Sequence, residues 1–452
     1  MTQTLDSAPL PTSELADDAQ PGDGSGAIVR RAPFSENPQV GVRGQRAQQR
    51  ILEAALQAFG ELGYHPCGIG QIAEVASCSR ASIYQYFASK EDVFRHLAGQ
   101  VAQQLSASAE ALDPVTADAA GWDSIHAWLE RHAAIYRRYE PVFNAYAAAA
   151  ESDEALAGGS ARIEERLVAT FRSRTEGSTL PPDRLDAVIG LLMNLTTRAP
   201  RVSDVLRAAV PSSSLRGERV RHATVDVIHR SLFGLDRTVN VQPPAKRKPA
   251  TPKRLDAALR AGMDGETHDA DLTPAGNRTL ATLLDSAHGV LVARGYHGTR
   301  VDDITSAAGM SHGAFYRYFP NKEQIVRTLA MRAMGRISTA FASMPEGIGD
   351  DGHLLREWLG HYGSSYAQEA VMIRVWVDAT AADPLLSLES ASALDWGRQR
   401  LVRFLEPRGF GDVQTDALLA VVLLDTMGDQ AQTPERIEAA ALVVERGFLG
   451  LR

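Results

Sequence analysis

The chain has 452 residues, 44% of them hydrophobic and 23% charged, with a formal net charge of −8 and two cysteines. That length suits several domains rather than one core, and the composition is that of soluble globular protein. Two cysteines argue against a disulfide framework and fit a reducing cytoplasm; no apolar run reaches the ~18 residues of a membrane span, and no signal peptide is visible at the N-terminus.

Residues 1–44 are rich in Pro, Gly, Ser and Asp without periodicity, which predicts a disordered tail. The negative net charge argues mildly against a nucleic-acid partner, but its distribution weakens that objection. Residues 1–26 hold acids and no base, residues 27–50 hold five arginines against Glu36, and residues 278–336 hold eight Lys/Arg against four Asp/Glu. Helical periodicity begins near Ala47, with Ile51, Ala55, Phe59 and Leu62 on one face, and continues to about Leu235. Residues 237–276, with Pro, Lys and Arg concentrated at 243–254, read as a basic linker of r.m.s. span on the order of 35 Å. Helical patterning resumes at Leu280 and runs to the end. No strand-like alternation appears, so an all-α fold is expected.

A repeat organises this pattern. Gly63-Tyr64-His65, Ile72, Ser79, Tyr84, Tyr86-Phe87 and Lys90-Glu91 recur 232 residues later as Gly295-Tyr296-His297, Ile304, Ser311, Tyr316, Tyr318-Phe319 and Lys322-Glu323. Trp128-Leu129 and Tyr136 recur at an offset of 230 as Trp358-Leu359 and Tyr366. The apolar helix after Asp186 recurs after Asp416, also at 230. Arg230 and the closing Gly234-Leu235 recur at 216 as Arg446 and Gly450-Leu451. The first half therefore carries about 14 extra residues between its last two helices, expected within 198–216, where Pro200 and Pro211 sit.

In the second copy, Thr299-Arg300-Val301-Asp302 reads as a capping box in which Thr299 caps and Asp302 reaches back. Gly309 suits a left-handed helix stop, and Ser311 caps a helix over 312–318. Phe315 and Phe319 point into the core, whereas Tyr316, Arg317 and Tyr318 point away from it. Two short helices joined by a tight turn form a helix-turn-helix, whose second helix enters the major groove. Lys322 follows the N-cap Asn321, so its charge opposes the helix dipole unless a phosphate binds there; the plainer alternative is a solvated surface lysine. Lys90 repeats the arrangement after Ser89.

At this point both copies resemble the N-terminal domain of the tetracycline-repressor (TetR) family. The residues that carry the likeness run from Thr299 to Glu323, with the Trp128 and Trp358 helices and the closing 232–235 and 448–451 resembling the family's effector domain. The resemblance implies two tandem units. They are a helix-turn-helix head at 45–96 with an effector and dimerisation domain at 97–236, and a second pair at 277–328 and 329–452. It implies a DNA-binding transcriptional regulator, usually a repressor, that dimerises through its last two helices and leaves its operator when a small molecule binds. Such a protein is expected in the cytoplasm, on the nucleoid. It needs no cofactor or metal and is not an enzyme, and no catalytic constellation appears. Candidate DNA contacts are Arg80, Ala81, Ser82, Tyr84, Gln85, Tyr86 and Lys90 in the first head. In the second they are Thr299, Arg300, Ser311, His312, Gly313, Ala314, Tyr316, Arg317, Tyr318 and Lys322.

The first copy departs from the pattern. Cys67 replaces the capping Thr, Gly68 stands where the second copy has Arg300, and Ser77 replaces the turn glycine at a cost on the order of 1 kcal/mol if the left-handed conformation is kept. These changes leave open a reading in which only the second head binds DNA and the first half serves dimerisation or sensing. Arg80, Tyr84 and Lys90 argue for the two-headed reading. Tyr136, Phe143, Tyr146, Tyr366, Met372 and Trp376 are either plain core or the lining of a site for a small hydrophobic effector. Cys67 and Cys78 stand too far apart for a disulfide, roughly 15 Å along a helix, and His126 and His132 fall on different helix faces. The two halves are expected to pair within one chain as a pseudo-dimer, with homodimerisation the alternative. The pairing would use 186–195 and 416–425 with 219–235 and 435–451.

Overall fold

A computed structural model describes residues 42–151, 153–209, 215, 217–236, 238–239, 273–380, 384–428 and 432–451. Among them the fold is all-α, and Val115 and Thr175 form only an isolated bridge. No described helix is long and apolar enough to cross a membrane. Most of the expected tail and linker lie outside the described residues. At their edges the structure differs from expectation: a helix already begins at Val42, and another at Pro274, where Thr273 Oγ1 accepts from the Gly276 amide.

The first half opens with α1 (Val42–Leu62), α2 (Ile69–Val75) and α3 (Arg80–Tyr84). Ile51, Leu52, Ala55 and Phe59 of α1 close over Ile72 of α2 and Ile83 of α3, as the 3.6-residue period demands. The body follows: α4 (Lys90–Glu110), α5 (Ala119–Glu151), α6 (Glu154–Ala157), α7 (Gly159–Arg174), α8 (Leu185–Ala209) and α9 (Gly217–Phe233). Helix α5 is kinked at Tyr139 (φ −112°, ψ 20°), two residues before Pro141, whose ring cannot accommodate a straight helix. The head's α1 crosses this kink closely, and a Cβ added at Gly60 would stand 3.2 Å from the Pro141 ring.

The second half repeats the plan. Its head is α10 (Pro274–Gly298), α11 (Val301–Ala307) and α12 (His312–Tyr318). Its body is α13 (Lys322–Ala342), α14 (His353–Thr380), α15 (Pro384–Leu405), α16 (Val413–Met427) and α17 (Pro434–Leu442), which runs on into a π-helical turn, Val443–Phe448. The extra residues of the first half appear largely as helix. α8 has 25 residues and contains Pro200, whereas its counterpart α16 has 15.

One apolar core spans the two halves. Twelve of the 15 residues of α16 are buried, the mark of a helix enclosed on every side. α16 packs on α8 and α9, and α17 with its π turn packs on α8 and α9 in return. The pairing is pseudo-symmetric. Arg230 Nε donates to the Gly447 carbonyl at 2.8 Å, and its counterpart Arg446 donates from Nε to the Ser231 carbonyl at 3.0 Å, Ser231 being the counterpart of Gly447. The approach needs a residue without a side chain, since a Cβ at Gly447 would come within 2.4 Å of Ser231 Oγ.

The symmetry fails at the charges. Arg230 is fully buried and donates to Asp416 at 3.1 Å, with Asp226 at 3.7 Å and Arg408 also on Asp416. Asp186, the counterpart of Asp416, turns outward to Arg172 instead. Arg446 donates to Thr179 Oγ1, and burial lowers its pKa from the ordinary guanidinium value. Removing one partner of a buried pair costs roughly 3–5 kcal/mol, because the other charge is stranded. Arg230→Met leaves Asp416 with Arg408 but strands Asp226 and the Gly447 carbonyl, so it should destabilise the chain by about the lower end of that range. Arg446→Met, which strands no carboxylate described against it, should cost distinctly less. Urea unfolding midpoints of the two variants check the order.

Candidate nucleic-acid interface

Each head presents its third helix on a capped, turn-defined frame. Ser311 Oγ accepts from the Ala314 amide at 3.3 Å, and Ser79 Oγ from the Ser82 amide at 3.0 Å, so both recognition helices start as expected. The preceding turn also keeps its shape in both copies. Gly309 has φ 64°, and Ser77 is held at φ 51°, so the serine accepts the left-handed strain that its counterpart avoids.

The start of the second helix differs from expectation. Thr299 does not cap. It is buried, and its hydroxyl donates to the Gly295 carbonyl at 2.7 Å. The N-cap is Arg300, whose amide donates to the Asp303 carboxylate at 2.9 Å, so the reciprocal acid is Asp303 rather than Asp302. The same register in the first head puts Gly68 at the cap, with its amide donating to Gln71 Oε1 at 3.1 Å. The Cys67 and Gly68 departures therefore do not cost the first head this cap. The usable signal was the polar residue three places after the cap, Asp303 or Gln71.

On the recognition helices Tyr84 and Tyr316 are about half exposed, and Gln85, Arg317, Arg80, Ala81, His312 and Gly313 are exposed. Ser82 and Ala314 are partly covered. Tyr318 corrects the expectation that it points outward. It is buried, and its hydroxyl donates to the Gly276 carbonyl at 3.3 Å, because the early start of α10 supplies that acceptor. Tyr86 is likewise partly buried against the head core. The two heads also differ where the second and third helices meet. His312 Nε2 lies 2.8 Å from Asp302, whereas the counterpart Arg80 lies over Gly70, which offers no carboxylate. Arg80 thus has no counterpart of the Asp302 carboxylate beside it at the outer face.

Lys322 and Lys90 are partly buried, and each ammonium is engaged by the protein's own carbonyls. Lys322 Nζ donates to the carbonyls of Tyr296 (2.7 Å) and Thr299 (3.1 Å) and lies 3.8 Å from the Tyr296 ring centroid. Lys90 Nζ donates to Tyr64 (3.0 Å) and His65 (3.5 Å) and lies 4.2 Å from the Tyr64 ring. Each lysine ties the body's first helix to the connection between the head's first two helices. Burial lowers the Lys322 pKa below the ordinary lysine value. Tyr64 is pushed up to about 12, first by burial and then by Glu91.

The two heads meet beside these struts. His65 and His297, counterparts in the repeat, stack at 4.4 Å between ring centroids and 26° between planes. Burial, with His65 and Lys322 adding to it, holds the His297 pKa at about 4. Sequence reasoning missed this contact, although both histidines stood in the repeat.

The candidate ligand residues gather in the two bodies. Tyr136 packs on Phe143 at 5.1 Å between centroids, and the Tyr146 hydroxyl donates to the Leu156 carbonyl at 2.9 Å. The Tyr366 hydroxyl donates to Asp425, and Met372 and Trp376 are buried. Tyr136 Oη and Trp376 Nε1 are buried hydrogen-bonding atoms without a partner among the described residues. A cleft of about 430 Å³ lies elsewhere, between α1, α4 and the α5 kink, and is lined by Gln49, Glu53, Gln100, Tyr139 and Pro141 among others. Among the described residues no cluster could hold a metal, and Cys67 and Cys78 are both free thiols.

Residues 51–97 and 283–329 each match the family described as "Bacterial regulatory proteins, tetR family". Similar proteins include the "HTH-type transcriptional regulator EthR" of Mycolicibacterium smegmatis, 26% identical over 112 residues, 25% of this chain and 52% of that protein. EthR of Mycobacterium tuberculosis is 32% identical over 77 residues, 17% of this chain and 36% of its own length. The "Fatty acid metabolism regulator protein" of Bacillus subtilis is 39% identical over 54 residues, 12% of this chain and 28% of its own length. The chain spans about half or less of the length of these relatives.

Two outcomes follow from the struts and the stacked pair. Lys322→Met should destabilise the second head by about 1.5–3 kcal/mol, the worth of hydrogen bonds from a charged donor. It should change the salt slope of DNA binding by well under one unit, because the ammonium faces carbonyls rather than phosphate. Titrations at several salt concentrations separate the two effects. The unfolded chain protonates His297 near pH 6.5, whereas the folded head resists until about 4. The stability that a neutral His297 contributes is therefore complete above pH 6.5 and is lost as pH falls toward 4. His297→Phe should flatten that part of the profile, as read from urea midpoints between pH 7 and pH 4.5.

Proposed function

We propose that this chain, which belongs to the tetR family of bacterial regulatory proteins and carries that family's N-terminal domain twice, binds one operator through both heads at once. The observation that carries the reading is the matched exposed array on the two recognition helices, Tyr84 with Gln85 and Tyr316 with Arg317. An exposed tyrosine hydroxyl suits a phosphate oxygen, and it positions a neighbour that faces base edges. The helix starts at Lys90 and Lys322 add amide groups for phosphate, although their ammonium groups are engaged elsewhere. Ser77 keeps the left-handed turn and Gln71 keeps the cap, which supports an active first head. Arg80, with no acid facing it from α2, supports it further.

The two halves act in this reading as a pseudo-dimer within one chain. The core they share and the reciprocal Arg230 and Arg446 bonds support this. The effector is a small hydrophobic molecule carrying a polar group. Tyr136 Oη and Trp376 Nε1 support that choice, since each has a hydrogen bond to give inside an apolar body. Tyr366 of the second body and Arg198 of the first both donate to Asp425, a route by which a ligand could alter the pairing of the halves.

The operator should have two different half-sites. Gln85 can pair bidentately with adenine and Arg317 with guanine, each worth about 1–3 kcal/mol of discrimination. Sequences selected from a random pool should be non-palindromic. Gln85→Ala should relax one half-site and Arg317→Ala the other. A perfect palindrome, with both substitutions acting on the same bases, would overturn the two-headed reading.

A further inference from the structure

We infer that the face between the halves carries a charge pattern that admits the first half against the second and disfavours the second half against its own kind. Three ion pairs cross between the halves among the described residues: Arg198–Asp425 at 2.9 Å, Arg219–Asp412 at 2.5 Å and Arg230–Asp416 at 3.1 Å. In each the arginine comes from the first half and the aspartate from the second. The Asp412, Asp416 and Arg230 side chains are almost fully buried, so their charges have little water to fall back on.

The repeat gives the counterpart of each residue, and hence what a like-with-like pairing would bring together. The counterpart of Arg219 at the offset of 216 is Glu435, and that of Asp412 at the offset of 230 is Pro182. Two second halves would set Glu435 against the buried Asp412, two negative charges. Two first halves would set Arg219 beside Pro182, which offers no carboxylate in place of Asp412, and the neighbouring Asp183 and Arg184 pair with each other at 3.3 Å. Arg198 would face Leu195, because Leu195 is the counterpart of Asp425, and Asp425 in turn would face Gly428. In the observed pairing the same positions are complementary: Arg219 meets Asp412, and the charge of Arg184 reaches Glu435 and Glu438. The Arg230–Asp416 pair does not discriminate, since Arg446 and Asp186 keep the residue types. Discrimination rests on the other two pairs, and it works by placing like charges together in the wrong partner as well as opposite charges in the right one. The partner this surface fits is thus the unlike half, supplied by the same chain.

The inference rests on the paired-halves reading above, but its test contains no DNA, so a failure here leaves the selection experiment untouched. Light scattering on the full chain should give a one-chain mass of 48.8 kDa at every concentration. Asp412→Arg repels Arg219 within the chain and attracts Glu435 of a second copy. Its mass should climb toward twice that value as concentration rises. Adding Arg219→Glu restores attraction within the chain, where tethering gives the unlike half a high effective concentration. The double variant should return to the one-chain mass, with circular dichroism showing unchanged helix content. A two-chain wild-type protein would overturn the inference. So would an Asp412→Arg variant that stays at one chain, or a double variant that associates as the single one does.

Discussion

The architecture depends on one burial event, the closing of α16 and α17 over α8 and α9. α8 and α9 also pack on α5 and α7, but the faces that meet across the halves cover each other. At about 25 cal/mol per Å² of apolar area, residues such as Leu191, Leu192, Val227, Leu419 and Val422 make this core a main source of stability. Everything else is hung on it. The bodies take their orientation from the core, and the heads take theirs from the bodies through α4 and α13. Placing buried arginines inside such a core is costly, and the pattern of their partners explains how the cost is contained. Arg230 has carboxylates around it, whereas Arg446 is satisfied by a carbonyl and a hydroxyl.

Between core and heads, the strut lysines do mechanical work. Each fixes the angle between a body helix and the head it carries, by hydrogen bonds to two carbonyls and a ring beneath. In the first half the kink at Tyr139 and the bare backbone at Gly60 add a second close contact between head and body. Head and body are thus held together by direct side-chain and backbone contacts as well as by the chain that connects them. The stacked His65 and His297 rings join the two heads at their other end.

Much of this was legible in the sequence because it is periodic or local. The all-α class, the repeat, the Ser311 cap, the left-handed turn at Gly309 and the inward Phe315 all depend on neighbours a few residues away. What failed depended on distant atoms. Tyr318 looked outward by helical spacing, but its hydroxyl has an acceptor 42 residues away. Lys322 was judged by its own helix dipole, whereas two carbonyls 23 and 26 residues back hold it. Thr299 was read one register early because a hydroxyl resembles a cap, and nothing local shows that it bonds backward to Gly295. The extra residues of the first half are expected between its last two helices, within 198–216, yet Pro200 lies inside α8.

The separation in sequence across the shared core has a further consequence during synthesis. Arg198 and its partner Asp425 are 227 residues apart. A chain made at about 5–20 residues per second reaches the second residue on the order of 10–45 s after the first. For that interval α8 and α9 have left the ribosome while the surface that covers them has not been made. The nascent first half must hold an uncovered apolar face in solution, and two such chains on neighbouring ribosomes would meet through it. Of the arginines along that face, Arg198 and Arg219 wait through the interval for Asp425 and Asp412, whereas Arg230 has Asp226 of its own helix 3.7 Å away from the start.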